Sequence, residues 1–557
     1  MCGILFSLSN NGSILNLNDW NHLKDLNTKR GPDSQLLKQL NVKDFTLQFF
    51  STVLHLRGPD VVPQPIEDSE NILCWNGEIF GGLQVEHGQN DTQALMSYLR
   101  ESSSQDEILS IFSCIEGPYA FVFWQASTKK LWFGRDCLGR RSLLTCHKQG
   151  SLMLSSVGLK SEGWKELEAN GIYCIDFSEE VFQEGLYKIH LFPWSYSEKP
   201  LLPFPRLNTT IPDHLKAIET PQVEPLIDED SEQIVNDFIS VLSQSVKSRV
   251  ADIPHLSQKN DDARVAILFS GGIDCTFLAA LADHYLPKSE PIDLLNVAFE
   301  NPRSEMAKNR PNKKKNKQNE KQEPSVLPQA TYNTPDRVTG RASLEELRRI
   351  APDRSWNFVE INVPYVEALE YRQHIIDLMF PLDTVMDLSI AMAFWFASRG
   401  KGTITMDNEE KPYHSHARVL ISGLGADEQL GGYSRHREAF RHGSWERLIQ
   451  ETQLDVDRIS TRNLGRDDRI MSDHGKEVRF PFLCTDVVNW LCRQPIHSKM
   501  DLRYERGIGE KLLLRQAARK IGLANTSKNW KRAIQFGAKT AKMTGESRTE
   551  KGQHKLT

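Results

Sequence analysis

Apolar and polar positions give the chain two different textures. Up to about residue 195 the apolar residues come in short runs rich in aromatic and β-branched side chains, at 45–56, 71–75, 119–124, 131–134 and 152–156, each bounded by Gly, Pro, Asn or Asp. That spacing predicts an antiparallel, strand-rich domain. One stretch, Asp91 to Arg100, has helical character. From Ser231 the texture changes. Ile234, Phe238, Val241 and Leu242 fall on one helical face, and Val265-Ala266-Ile267-Leu268-Phe269 is then continuously apolar, as a strand buried on both faces is. This run stops at Ser270-Gly271-Gly272, and 276–282 reads as a helix. Strand- and helix-sized segments continue at 293–299, 356–363, 388–398 and 418–422, the alternation of a doubly wound α/β domain.

Proline and acidic residues accumulate over 200–230, the composition of a linker. The expected organisation is a first domain at 2–196, a linker at 197–230, a second domain at 231–540 and a flexible tail at 541–557. Within the second domain, 301–328 is rich in Lys, Asn and Gln, with Lys313, Lys314, Lys315 and Lys317 nearly consecutive. A disordered basic insertion is expected there, with a nuclear-import or nucleic-acid patch as the alternative.

Composition narrows the class without choosing a function. With 557 residues, 25% charged and 39% hydrophobic, and a net charge of −5, the chain reads as a soluble multidomain protein with no global pull toward nucleic acid or membrane. The apolar runs are too short to span a bilayer, and the N-terminus lacks the basic segment of a signal peptide. Nine scattered cysteines without a Cys-x-x-Cys pair argue against disulfide or zinc scaffolding and for a cytoplasmic location.

The Ser270-Gly271-Gly272 turn is the first candidate for chemistry. A strand feeding a glycine turn and a helix start aims unpaired N–H groups at one point, which suits a phosphate. Gly271 and Gly272 let the backbone come close, and Ser270 adds a hydroxyl donor. Asp274 would repel phosphate unless it holds Mg²⁺. An ordinary strand–turn–helix corner explains the same residues equally well.

Cys2 is the second candidate. If Met1 is removed, the exposed α-amino group lies beside the thiol and can take its proton. It is followed in order by Arg30-Gly31-Pro32-Asp33, Leu54-His55-Leu56-Arg57, Gln64-Pro65, Asn76-Gly77-Glu78-Ile79, Asn90-Asp91 and Gly134-Arg135-Asp136-Cys137-Leu138-Gly139. Together these resemble the glutaminase domain of class II amidotransferases, an N-terminal-nucleophile family of αββα fold. The resemblance implies that Cys2 attacks the glutamine amide, and that Asn76 and Gly77 form the oxyanion hole. It also implies that Arg57 clamps the α-carboxylate and that Glu78 and Asp91 surround the α-ammonium.

With that context, the Ser270 turn, Ser422-Gly423-Leu424-Gly425-Ala426-Asp427-Glu428 and Asp473-His474-Gly475-Lys476-Glu477-Val478-Arg479-Phe480-Pro481-Phe482-Leu483 resemble the ATP-pyrophosphatase domain of the asparagine synthetase family. The resemblance covers nearly the whole chain. It implies that ATP and Mg²⁺ activate the aspartate side chain as an acyl-adenylate, and that ammonia made at Cys2 crosses between the domains to displace AMP. Ser270, Gly271, Gly272 and Asp274 would then handle pyrophosphate and metal. Phe269, Val297, Ser422 and Gly423 would frame adenosine, and Asp427 with Glu428 would offer further metal ligands. Glutamine, aspartate or another carboxylate, and ATP are the implied small-molecule partners. No nucleic acid or membrane is expected, and a homodimer is left open.

The departures bear on the chemistry. Cys275 stands where the family has Ser. Leu424 stands where the family carries a glutamate as general base, and leucine accepts no proton. Asp387 occupies the region of a family arginine, and a late catalytic lysine maps onto Lys531-Arg532 only loosely. A glutaminase with an altered acceptor site is the expectation. Three outcomes compete: synthesis of asparagine or another amide, a regulatory protein that keeps only the fold and nucleotide binding, and a β-lactam-synthetase-like ring closure. Retention of Cys2 weighs against the last.

Overall fold

The computed structural model describes residues 2–10, 17–148, 150–161, 163–178, 187–194, 202–211, 217–225, 227, 229–256, 262–302, 332–541, 543 and 552–556, and the elements named below lie within them. The basic insertion expected at 301–328 lies outside these residues apart from its first two.

Residues 3–193 form two antiparallel six-stranded sheets. The first contains β1 (Gly3–Asn10), β2 (Ser34–Val42), β3 (Phe45–Val53), β8 (Leu144–Lys148), β9 (Ser151–Ser155) and β10 (Trp164–Glu166), in the order β10-β8-β9-β1-β3-β2. The second contains β4 (Ile66–Asp68), β5 (Asn71–Gly77), β6 (Tyr119–Gln125), β7 (Lys130–Arg135), β11 (Gly171–Asp176) and β12 (Ile189–Pro193), in the order β12-β11-β7-β6-β5-β4. Alternation along each strand separates two faces. Ile4, Phe6, Leu8 and Phe49 of the first sheet pack against Cys74, Val122, Phe133 and Ile175 of the second. On the outer faces, α1 (Leu17–Arg30) packs Trp20 and Leu23 against Leu5 and Phe50. Opposite it, α2 (Asp91–Glu101) and α3 (Gln105–Cys114) pack Leu95, Leu99 and Phe112 against Trp75 and Phe121. The layers are therefore helix, sheet, sheet, helix. β1, absent from the sequence expectation, is central to the first sheet and almost wholly buried.

The second half is built on a seven-stranded sheet. Its strands are β13 (Val265–Leu268), β14 (Ile292–Phe299), β15 (Trp356–Val363), β16 (Lys401–Met406), β17 (Glu409–His414), β18 (Val419–Ile421) and β19 (Glu477–Arg479), in the order β17-β16-β15-β14-β13-β18-β19. Five strands are parallel, and β16–β17 is an antiparallel hairpin at one edge. Val265 and Ile267 face a core shared with α4 (Glu229–Val250) and α5 (Ile273–Asp283). The face of α4 that this core buries is Val235, Phe238, Leu242 and Val246, whereas the expected Ile234 and Val241 are only partly buried. Ala266 faces the other core, with α7 (Tyr365–Met379), α8 (Val385–Arg399) and α11 (Leu464–Ser472). Helix α6 (Pro335–Ile350) lies between β14 and β15 in the chain, and α9 (Ala426–Leu430) and α10 (Ser434–Asp457) follow β18. Helix α12 (Thr485–Arg493) and α13 (Ile496–Lys499) lead to α14 (Leu512–Lys520).

The two halves meet along a buried ionic seam. Asp468 on α11 accepts from Arg30 at 2.7 Å and from the backbone N–H of Ser142 at 3.1 Å, and lies 3.5 Å from Arg141. Arg141 also reaches Glu477 on β19 at 2.9 Å, and Arg469 reaches Glu166 at 2.8 Å. Glu116 accepts from Arg249 at 2.6 Å and from the Thr485 hydroxyl at 2.6 Å. Residues 552–556, expected in a flexible tail, are hydrogen bonded instead: Val385 and Met386 donate to the carbonyls of His554 and Gly552, and Leu556 donates to Asp383.

A fully buried acid that holds two arginines across the seam cannot be removed without stranding their charge. Asp468→Ala should therefore cost about 3–5 kcal/mol of unfolding free energy in urea at pH 7, and a loss below about 1 kcal/mol would contradict the seam. Burial raises the Glu116 carboxyl, but Arg140, Arg249 and Thr485 more than offset it and hold the group at about 2, against an ordinary 4.5. Its contribution is present above pH 4.5 and is lost as pH falls toward 2.

Candidate active site

Cys2 stands at the start of β1, behind a narrow cavity. Its carbonyl accepts from Arg30 Nε at 3.3 Å, and its Sγ lies 3.8 Å from Gln64 Nε2. Gln64 is itself fixed, accepting from Trp75 N at 2.7 Å and donating to Thr92 Oγ1 at 3.2 Å. Burial pushes the thiol up to about 11, with the N-terminal ammonium pulling the other way. The cavity wall includes Cys2, Arg57, Gly77, Glu78 and Asp91, together with Glu477 from the second half of the chain. Asn90 caps α2 by accepting from Thr92 N, which brings Asp91 into the first turn, where its Oδ2 accepts from Ile79 N at 3.2 Å. Arg57 donates to Ile79 O at 2.5 Å and lies 3.9 Å from Glu78. Glu78 is pushed up to about 8 by burial and by Glu477, and Asp91 is raised by burial.

Five of the six residues expected here therefore share one cavity. Asn76 is the exception. It is fully buried on β5 between two wall residues, Trp75 and Gly77, and neither its amide nitrogen nor its oxygen has a hydrogen-bond partner among the described residues. Gly77 has a packing reason as well, since a Cβ there would lie 2.7 Å from Pro118 O.

The second cavity, of about 300 Å³, opens where β13 runs into α5. Phe269, Ser270, Gly272, Asp274, Val297, Ser422, Gly423, Leu424 and Asp427 all line it. The N-cap of α5, Gly272, carries no side-chain cap, so the N–H groups of the first turn lack intrahelical partners. Gly271 corrects the expectation. It does not line the cavity but faces α6, where a Cβ would lie 2.4 Å from Gly340 N, and its φ is +75°. Its carbonyl accepts from Ser343 Oγ at 2.8 Å. Glu428 is likewise turned away, accepting from Tyr433 Oη at 2.5 Å.

The sequence reading missed Lys511. This buried lysine lies 2.6 Å from a carboxylate oxygen of both Asp274 and Asp427, and those acids lift it above its ordinary range against the effect of burial. Lys531 also pairs with Asp427, so the residue expected only loosely does reach the site. Both lysines overcome burial to hold Asp427 far below the usual carboxylate range. Lys511 has φ +55° where α14 begins, an unfavourable conformation for a lysine. Asp387 does not present a free charge, because Arg466 on α11 meets it at 2.5 Å.

Family models match "Glutamine amidotransferase domain" over residues 54–160 and "Asparagine synthase" over residues 440–550. The chain is 41% identical to "Asparagine synthetase domain-containing protein 1" of Bos taurus over 95% of this chain and 93% of that protein. It is 42% identical to the protein of the same name in Homo sapiens, over 98% and 95%. It is 24% identical to "Putative asparagine synthetase [glutamine-hydrolyzing] 1" of Methanocaldococcus jannaschii, over 85% and 73%.

Gly271 is where the turn and α6 approach most closely. Gly271→Ala should lower the urea unfolding free energy by about 1–3 kcal/mol, and a loss below about 0.5 kcal/mol would contradict this packing.

Proposed function

The chain belongs to the family of asparagine synthetase domain-containing proteins, and from that premise we propose that it is a glutamine-dependent, ATP-consuming amidotransferase that makes asparagine from aspartate. One observation carries the reading. Glu477, on a strand of the seven-stranded sheet, lines the Cys2 cavity, while α11, joined to the glutaminase half through Asp468, lines the other cavity. Two adjacent elements of the second half, β19 and α11, thus each border one of the two cavities.

At the first site, removal of Met1 puts the α-amino group on Cys2 itself, where it takes the proton that burial otherwise keeps on sulfur. The developing oxyanion meets Gly77 N–H, and the Asn76 amide, buried just behind the wall and with no competing partner among the described residues, would have to turn toward the cavity to add a second donor. Arg57 receives the glutamine carboxylate. Glu78 and Asp91, two neighbouring buried acids with raised proton affinity, fit a cation between them, and the α-ammonium is that cation.

At the second site, Ser270, Gly272 and the start of α5 receive the phosphates, and Phe269, Val297, Ser422 and Gly423 frame the adenosine. Asp274 and Asp427 converge on one ammonium, so their oxygens are spaced to share a cation, and they would hold Mg²⁺ beside the phosphates. The ion would offset phosphate charge during adenylation. Lys511 holds both acids in place and favours the ionised form of Asp427.

A second reading, a fold kept for nucleotide binding or regulation without synthesis, rests on Leu424, an apolar side chain in the wall of this cavity. Purified protein given glutamine, ATP, Mg²⁺ and labelled aspartate should release glutamate, AMP, pyrophosphate and labelled asparagine. Cys2→Ala should lose glutamine-supported synthesis and keep ammonia-supported synthesis. Glutamate release with unconverted aspartate would overturn the synthetic reading and leave the second.

A further inference from the structure

Leu424 leaves the acceptor cavity without its expected base, yet the same wall contains a buried acid. Arg466, Asp467 and Asp468 are consecutive on α11, and all are fully buried. Asp468 faces the glutaminase half, where Arg30 joins it at 2.7 Å and then reaches the Cys2 carbonyl at 3.3 Å. Arg466 and Asp467 line the acceptor cavity together with Leu424. Asp467 Oδ1 is held by Arg466, with Nε at 2.8 Å and Nη2 at 2.7 Å. Its Oδ2 is buried and has no hydrogen-bond partner among the described residues. One oxygen is thus fixed and the other is free to accept a proton, at the point of the cavity wall closest in the chain to the seam with the glutaminase half.

We propose that Asp467 is the catalytic base for the attacking amine, in the role that Leu424 cannot fill. The assignment rests on the synthetic reading above. The ammonia nitrogen forms a C–N bond to the acyl carbon of the adenylate, an N–H proton passes to Asp467 Oδ2, and the C–O bond to phosphate breaks with AMP taking the electron pair. The carboxylate then returns its proton to water.

The surroundings suit that exchange. Burial and the neighbouring Asp387 raise the Asp467 carboxyl while Arg466 and Arg469 lower it, and the balance leaves it at about 6. It is ionised and basic above that pH and loses basicity as pH falls through it. Asp336, the other acid of the wall raised by burial, to about 7, is on α6 and is faced by Arg532 and Lys531 of the C-terminal segment. It has no tie to the seam among the described residues.

The test separates the two half-reactions in the full-length protein with ATP, Mg²⁺, aspartate and ammonium chloride. Aspartate-dependent ATP–pyrophosphate exchange reads adenylation, and asparagine release reads amine attack. In Asp467→Asn the ratio of asparagine release to exchange should fall by about 10²-fold, the scale of a lost general base, and Leu424→Glu in that background should recover part of it. An unaltered ratio overturns the assignment while leaving the synthetic reading intact. If Asp467→Asn loses both activities together, the native protein decides: at constant free ammonia the ratio should fall below about pH 6, and a ratio flat from about pH 5 to about pH 8 overturns it. In the ligand-free protein, labelled aspartate carboxyls should show one group titrating near pH 6 that Asp467→Asn removes. Absence of exchange in the native protein overturns the synthetic reading and this assignment with it.

Discussion

Asp468 is the charge on which the arrangement depends. It is fully buried, and three groups of the first half of the chain converge on it: Arg30, Arg141 and the Ser142 N–H. Burial alone would raise its carboxyl, but Arg30 and Arg141 hold it below the ordinary range, so the seam is ionised at neutral pH. An ion pair of this kind adds little net stability compared with apolar packing, yet it tolerates few alternative geometries. Here it fixes Cys2, through Arg30, relative to α11, and α11 supplies Asp467 to the other cavity. Asp468 thus ties the two sites to each other, within a seam that Glu477, Glu166 and Glu116 also hold.

The chemistry-bearing turns were legible in the sequence because glycine, asparagine and aspartate at fixed offsets carry local backbone information. The β13–α5 turn and the strands at β5, β6, β14 and β15 fall where their apolar runs place them. β1 is hard to read in the sequence because Ser7 and Ser9 break its apolar run, although both are buried with their neighbours in the fold. Next to Ser270, Gly271 reads as part of the anion turn, but its conformation answers to α6, about seventy residues away in sequence. No local pattern encodes such a contact.

Long-range charge pairing was the least legible. Lys511 and Arg466 are ordinary residues in sequence, and their meaning comes from partners 237 and 79 residues distant, Asp274 for Lys511 and Asp387 for Arg466. Asp387 alone looked like a reversed charge beside the substrates. Paired with Arg466 of another helix, it is half of an ion pair. Leu424, read alone, removes a base from the loop, whereas in the fold it shares a cavity wall with the buried acid Asp467.

The central claim is that the seam makes two cavities into one reaction unit. It is tested most directly by giving the full-length protein amide-labelled [¹⁵N]glutamine, ATP, Mg²⁺ and aspartate in the presence of excess unlabelled ammonium, and measuring the isotope in asparagine. Enrichment well above that of the ammonium pool is the predicted result. Asparagine carrying only the label of the bulk pool would contradict the account.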